Sequence, residues 1–317
     1  MSGVVDQALE LWGLSGSQVT LIATRENHVY RVDREDTSFA LRLHRRGLHS
    51  NAALQSELAW LSALGGDGIG VPTPLAALDG QNLHTVDGIQ VDVLSWLPGR
   101  PLGSTSAGID HSDSPAVFRA IGREMARFHR ASDRWTPPAA FSRWSWDRAG
   151  LLGDAPLWGR FWENPTLTGD DSELLTRYRR VANTDLAQME ASLDYGLIHA
   201  DLVRENIMTD GQNVRFIDFD DAGFGFRLFD IATALVKNLN EPDYPLLKDA
   251  LLDGYRQERD IDTALLDLFL SLRAVTYVGW ITLRLSEEGG PARNTRFIET
   301  ARTVVSEYLN RSAHGEG

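Results

Sequence analysis

The strongest constraint on this chain is a set of ionisable residues held between apolar ones. It reads GLIHADLVRENIM at 196–208 and then VRFIDFDDAGFG at 214–225. Leu197, Ile198, Ile207 and Met208 frame the first run, and Val214, Phe216 and Ile217 the second. Apolar flanks anchor a segment in a core, and charge brought that close to an interior must be paired or put to chemical use. The turn sequence DGQN at 210–213 separates two short strand candidates, which predicts a hairpin. Asp201 and Asn206 precede its first strand and Asp218 ends its second, so oxygen-bearing side chains converge at one end of a small sheet.

Carboxylate and amide oxygens are hard ligands suited to Mg²⁺, which binds through one or two carboxylates together with substrate phosphates. Another carboxylate beside them can orient an alcohol and take its proton, and the set then suits phosphoryl transfer. In spacing, His199-x-Asp201-x₄-Asn206 fits the kinase catalytic loop H-R-D-x-x-x-x-N. Asp218, twelve residues past Asn206, stands where the aspartate of D-F-G belongs. With RLFDIATAL at 227–235 added, the segment resembles the aminoglycoside phosphotransferase family, which includes homoserine and choline kinases.

The resemblance covers nearly the whole chain and implies an α+β, two-lobe, protein-kinase-like fold. Residues 1–98 would form an antiparallel sheet with one main helix, and 99–317 a larger, mainly helical lobe. It implies ATP and Mg²⁺, with Asp201 as catalytic base, Asn206 and Asp218 as metal ligands, and Asp220 as a direct or supporting metal carboxylate. His199 would orient the loop, and Asp230 would brace it from a helix.

Strand candidates QVTLIA, HVYRVD and FALRLH open the chain, and the helical stripe Leu54, Leu58, Leu61 follows. FALR at 39–42 matches V-A-I-K position by position, so Arg42 falls where kinases carry the phosphate-clamping lysine. Glu57 sits on the apolar stripe of the helix and needs a partner; an Arg42–Glu57 pair supplies it, with or without a nucleotide contact. The loop between the opening strands lacks glycine, which leaves Asn27 and nearby amides as phosphate contacts. The backbone from Ser95 to Leu97 is the edge expected to meet adenine, with Trp96 a core residue or an adenine neighbour.

Past PGRPLG at 98–103 the pattern turns helical. A helix begins at Ser114-Pro115, with Ser114 as its cap and a buried stripe of Val117, Phe118, Ile121, Met125 and Phe128. His129, one position off that stripe, suits a structural hydrogen bond. The tryptophans at 135–162 suit either a cage for a cationic amine or a hydrophobic cluster tying an insert to the helices. Val203 occupies a place where related loops carry a cation; Arg204 beside it is either that cation or a solvated charge.

A net charge of −13 argues against a nucleic-acid surface, and the absence of cysteine excludes disulfides and thiolate chemistry. The apolar stretch 265–285 carries Asp267, Arg273 and Arg284, which reads as a buried helix and no membrane span. These features suit a cytoplasmic enzyme acting on a small hydroxyl-bearing metabolite. Homoserine, an amino alcohol, a sugar, an aminoglycoside and a modified amino acid all remain open as acceptors. A protein kinase and a nucleotide-binding protein without transferase activity are the rival readings.

Overall fold

A computed structural model describes residues 2–24, 27–104, 108–111, 113–211 and 213–314. Five antiparallel strands form the first sheet: β1 (Gln18–Thr24), β2 (Asn27–Arg34), β3 (Thr37–His44), β4 (His84–Val86) and β5 (Ile89–Ser95), in the order β1-β2-β3-β5-β4. Alternation along β3 sends Phe39, Leu41 and Leu43 to one face. There they join Val4, Val5, Ala8 and Leu9 of α1 (Ser2–Leu11) in a small core of their own. This first helix is absent from the elements read off the sequence. Ten residues are marginal as an isolated helix, and α1 depends on the apolar face of the sheet it covers.

Arg42 and His44 occupy the other face of β3. Arg42 meets α2 (Asn51–Gly66), whose first turn is capped by Ser50 Oγ accepting from the Ala53 amide at 3.1 Å. The predicted stripe Leu54, Leu58 and Leu61 is buried, but in the large core shared with the C-terminal helices rather than in the sheet's core. Apolar packing thus runs across the connector at residues 96–99.

The rest of the chain threads short strands between helices: β6 (Arg100–Pro101), β7 (Gly103–Ser104), β8 (Gly108–Ile109), β9 (Ser145–Trp146), β10 (Tyr195–Ile198), β11 (Ile207–Thr209), β12 (Val214–Phe216) and β13 (Gly223–Phe226). The predicted hairpin is β11–β12, in register Ile207↔Phe216, and β6 pairs on its outer side. The helices are α3 (Ser114–Arg134), α4 (Arg148–Leu152), α5 (Gly169–Met189), α6 (Arg227–Val236), α7 (Tyr244–Arg256), α8 (Leu266–Trp280) and α9 (Gly290–His314).

The cap of α3 is Asp113, whose side chain accepts from the Ala116 amide at 3.0 Å; Ser114 is already helical. A carboxylate at that position also opposes the positive end of the helix dipole. Helix α8 with the turn after it (Leu266–Arg284) is long and apolar enough to cross a membrane by composition, yet 78% of that apolar window is buried inside the protein.

Helices α3 and α7 approach until backbone meets backbone. A Cβ at Gly122 would lie 1.9 Å from the Leu251 carbonyl oxygen, and one at Gly254 would lie 1.9 Å from that of Arg119. Neither oxygen can swing away as a flexible side chain would. Gly122→Ala should therefore cost about 1–3 kcal/mol through forced helix separation, read as a lowered midpoint of thermal unfolding; an unchanged midpoint would show that the two helices can part freely.

Candidate active site

Strand β10 ends at Ile198 and delivers His199, Ala200 and Asp201 to the cleft. Ala200 has φ +66°, a left-handed conformation that costs roughly 1–2 kcal/mol for an L-residue. Asp230, in the first turn of α6, holds it there: Oδ1 accepts from the Ala200 amide at 2.6 Å and Oδ2 from the His199 amide at 2.9 Å. His129 Nε2 donates to the same Oδ2 at 3.0 Å, while Nδ1 accepts from the Tyr255 hydroxyl at 2.8 Å. Asp230 has the bracing contacts expected of it, and His129 the structural ones.

His199 is similarly committed. Its Nε2 donates to the Ile217 carbonyl at 3.0 Å and its Nδ1 accepts from the Asp201 amide at 3.3 Å, which ties the loop to the end of β12. Burial, with Arg273 adding to it, holds His199 down to about 4 against the opposing pull of Asp230. Burial and then Arg227 and Arg259 push His129 well below its ordinary value. Both rings are neutral at pH 7, so neither supplies the loop with a cation.

Asp201 and Asn206 come together as their spacing suggests. Asn206 Nδ2 donates to the Asp201 carbonyl and to Asp201 Oδ2, each at 2.9 Å, which presents Asn206 Oδ1 as an acceptor. The Ile217 amide bonds to the Asn206 carbonyl at 3.0 Å, so Asp218 follows directly beside them. Asp218 has φ +68° and lies open to the cleft. Its carboxyl is raised well above the usual range by desolvation and then by Asp220, Asp201 and Asp221, with Arg42 opposing. Because its side chain is open, the like charges around it are what a bound ion would relieve.

Among the described residues no three His, Asp or Glu side chains form a self-sufficient metal site. A divalent ion held by Asn206 Oδ1, Asp218 and nucleotide phosphates needs no such triad, and this all-oxygen donor set fits Mg²⁺. Asp220 faces the first sheet: its Oδ2 accepts from Asn27 Nδ2 at 2.6 Å, and Arg42 Nη1 lies 3.9 Å from Oδ1. That Oδ1 is buried without a hydrogen-bond partner among the described residues. Burial works against its charge, but His49 and Arg42 draw its pKa below the ordinary carboxylate range. Asn27 therefore meets this carboxylate, while the loop residues 25 and 26 beside it lie outside the described residues.

The Arg42–Glu57 pair is present at 2.7 Å, but it is half of a larger arrangement. Asp92, the residue opposite Arg42 across the β3–β5 ladder, takes Arg42 Nε and Nη2 in a fork at 2.8 and 2.9 Å and also bonds His44 Nε2 at 2.7 Å. Burial opposes the Arg42 charge, yet Asp92 and Glu57 more than offset it and raise its pKa well above the usual value. A lysine cannot make that planar fork. The signal for Asp92 is in the sequence, as a lone acid in the apolar strand IQVDVLS. Arg143 was also missed; it donates to the carbonyls of Phe219, Asp220 and Ala222 and to Glu57, fastening the acidic loop to α2.

At the connector the Ser95 amide donates to the Thr73 carbonyl at 2.8 Å and the Trp96 amide to the Ser38 carbonyl at 3.2 Å. Of the three expected edge residues, only the Leu97 amide lacks a backbone partner among the described residues. Trp96 is half-buried with the Arg31 guanidinium 5.2 Å over its ring, so its place is outside the core. Arg204 is neither a solvated charge nor a cation at the site. It is buried, with Nε on Asn238 Oδ1 and Nη2 on the Lys237 carbonyl, each at 2.8 Å, and it pairs with Glu241.

The tryptophan-rich insert converges on Asp221. Trp144 and Trp146 donate their indole N–H groups to its carbonyl at 2.9 and 2.8 Å, and Trp158 donates to its Oδ1 at 3.0 Å. Burial and then Asp201 push the Asp221 carboxyl up to about 7. The insert is thus the hydrophobic cluster that ties to the helices, with Trp146 stacked on Phe229 of α6 and Trp158 packed on Tyr277 and Trp280 of α8, and its indole N–H groups reach the acidic loop at Asp221.

Residues 18–266 match the phosphotransferase enzyme family. The chain belongs to that family. It is 30% identical to a microcompartment-associated aminopropanol kinase of solved structure, with a TM-score of 0.85 and 98% of each chain covered. It is 27% identical to the amicoumacin kinase of Bacillus subtilis over 87% of this chain and 83% of that one. To the homoserine kinase of Acidiphilium cryptum it is 29% identical, over 75% of this chain and 71% of the relative. The family membership makes the chain a kinase-type phosphotransferase with a protein-kinase-like fold.

Two outcomes test this geometry. A histidine kept neutral by burial contributes stability above its unfolded pKa near 6.5 that is lost as pH falls toward the folded value. His129→Gln removes one such group. Its stability deficit relative to wild type should therefore shrink below pH 6.5, by at most about 1.4 kcal/mol per pH unit; a deficit independent of pH in denaturant titrations would contradict a neutral His129. Arg42→Ala leaves the buried Glu57 with Arg143 alone and the buried Asp92 with His44 alone, and should cost roughly 3–5 kcal/mol in the same titrations.

Proposed function

We propose that this kinase transfers the γ-phosphoryl group of ATP to the hydroxyl of a small metabolite, with Asp201 as the base. The observation that carries the reading is the Asp201–Asn206–Asp218 constellation at the mouth of the β11–β12 hairpin. The acceptor oxygen attacks the γ-phosphorus while its proton passes to Asp201. The bond from phosphorus to the bridging oxygen breaks, and ADP leaves with that electron pair.

Asn206 Oδ1 and Asp218 would hold Mg²⁺, with Asp220 supporting them from the side of the first sheet. Bound there, the ion would offset charge on the phosphate oxygens. Residues 1–98 would clamp the nucleotide: the Leu97 amide toward adenine, and Arg42, Glu57 and Asn27 at the phosphate end. Fixed groups of this kind work by positioning and charge compensation, without reorganising during the reaction.

Two features support a small acceptor over a peptide. Only eleven residues, 219 to 229, separate Asp218 from Asp230, and four of them form β13. That leaves no length for a peptide ledge. Beside Asp201 stand instead Arg273 of α8 and, through Asp221, Trp158 of the tryptophan-rich insert. Relatives named as kinases of aminopropanol, amicoumacin and homoserine make compounds of those kinds the first to try. A chain without cysteine that consumes ATP suits the reducing cytoplasm.

The test is ADP release with Mg²⁺–ATP against L-homoserine, 1-amino-2-propanol, choline and a set of aminoglycosides. Asp201→Asn should lower turnover by about 10²–10⁴-fold and leave the affinity for Mg²⁺–ATP near wild type. Turnover retained in that variant would remove Asp201 from the role of base. Phosphate incorporated into protein substrates, with none of the small compounds used, would favour the protein-kinase reading.

A further inference from the structure

The catalytic loop lacks a cation of its own at the base, since Val203 is apolar and Arg204 is committed elsewhere. One arrives from α8 instead. Arg273 Nη2 lies 2.5 Å from Asp201 Oδ1, and the two residues are 72 positions apart in the chain. The Arg273 side chain is fully buried. Its guanidinium carbon sits 4.4 Å from the ring centre of Trp158 and 4.3 Å from that of Tyr277, with Phe229 at 5.4 Å. Nη2 also donates to the Tyr277 hydroxyl at 2.9 Å.

We propose that Arg273 is the positioning residue for the base: clamped between Trp158 and Tyr277, it fixes Asp201 Oδ1 so that the carboxylate meets the acceptor hydroxyl in one orientation. This rests on the phosphotransferase reading above. A carboxylate on a short loop has a free torsion, and here both oxygens are tied, Oδ1 to Arg273 and Oδ2 to Asn206. Each oxygen keeps a second lone pair for the hydroxyl. The planar guanidinium suits this task because its faces stack on the rings while its edge meets the carboxylate.

Burial of the cation has a cost that pairing with Asp201 only partly offsets. Arg273 Nε and Nη1 have no hydrogen-bond partner among the described residues. Fully satisfied ion pairs are what a merely structural buried charge requires. An arginine retained with two of its nitrogens unmet, against the proposed base, is accounted for by what its third nitrogen holds. The surrounding charges are Lys237, whose Nζ is 3.5 Å from Glu205 Oε2, Glu205 itself, and Asp221 behind Trp158. The tryptophan-rich insert thereby gains a role, since Trp158 supports Arg273 with its face and Asp221 with its N–H.

The experiment measures steady-state ADP release by the full chain with Mg²⁺–ATP and the four acceptor classes named above. Arg273→Met should lower kcat by about 100-fold, the loss that a misplacement of roughly 1 Å produces, with KM for ATP within about twofold of wild type. Arg273→Lys should recover part of the loss, since it restores the charge without the fork. Tyr277→Phe keeps the aromatic face and removes only the hydroxyl, and should lower kcat several-fold without changing the melting temperature appreciably. A wild-type kcat in both Arg273→Met and Tyr277→Phe overturns the proposal, as does a loss confined to KM for ATP. If Arg273→Met does not fold, Tyr277→Phe decides alone. Wild-type protein that releases no ADP with any of these acceptors overturns the proposed small-metabolite acceptor, and this inference with it.

Discussion

The site depends on one buried carboxylate. Asp230 accepts from two consecutive amides, His199 and Ala200, where the backbone turns through a left-handed residue. Without that acceptor the two N–H groups would be buried and unpaired, and the loop would relax toward ordinary backbone angles. The turn is what directs Asp201 into the cleft and leaves His199 underneath it. The brace is itself held by His129 and, through that ring, by Tyr255 of α7. An apparently local loop thus takes its shape from three helices.

The same principle governs the acidic strand end. Asp218 adopts a second left-handed conformation, and Arg143 secures the residues just after it by donating to the carbonyls of Phe219, Asp220 and Ala222. The segments that carry the two strained residues are joined just before each of them, where His199 Nε2 meets the Ile217 carbonyl. Strain located at a site, with hydrogen bonds to rigid elements on either side, is how a fold keeps polar groups oriented before a substrate arrives.

Much of this was legible in the sequence, and what was not has a common cause. The face split of β3 and the stripes of α2 and α3 follow from short-range periodicity, the hairpin from its turn residues, and the set Asp201, Asn206 and Asp218 from the resemblance of its spacing to a kinase catalytic loop. Helix α1 did not, because its amphipathic run is too short to decide without knowing which sheet it covers. The Ser-Pro signal places the α3 cap at Ser114, one residue past the true cap Asp113, a difference at the level of boundaries. The contacts that escaped entirely, Arg42–Asp92, Arg143 with the acidic loop and Arg273 with Asp201, join residues that lie far apart in the chain. Asp92 and Arg273 left the same trace, a lone charge in an apolar strand or helix that marks a partner without saying where it lies, whereas Arg143 sits in the irregular segment before β9 and left none.

The fork between Arg42 and Asp92 carries a consequence for control. In kinases that switch, the helix carrying the partner glutamate can swing away and break its ion pair with the strand lysine. Here Glu57 is held by Arg42 on one side and Arg143 on the other, while the apolar stripe of α2 belongs to the main core. Turning that helix outward would expose the stripe and abandon several buried charges together. The arrangement of Arg42, Glu57, Asp92 and Arg143 is therefore already assembled in the free protein, and any rotation of α2 would have to take it apart.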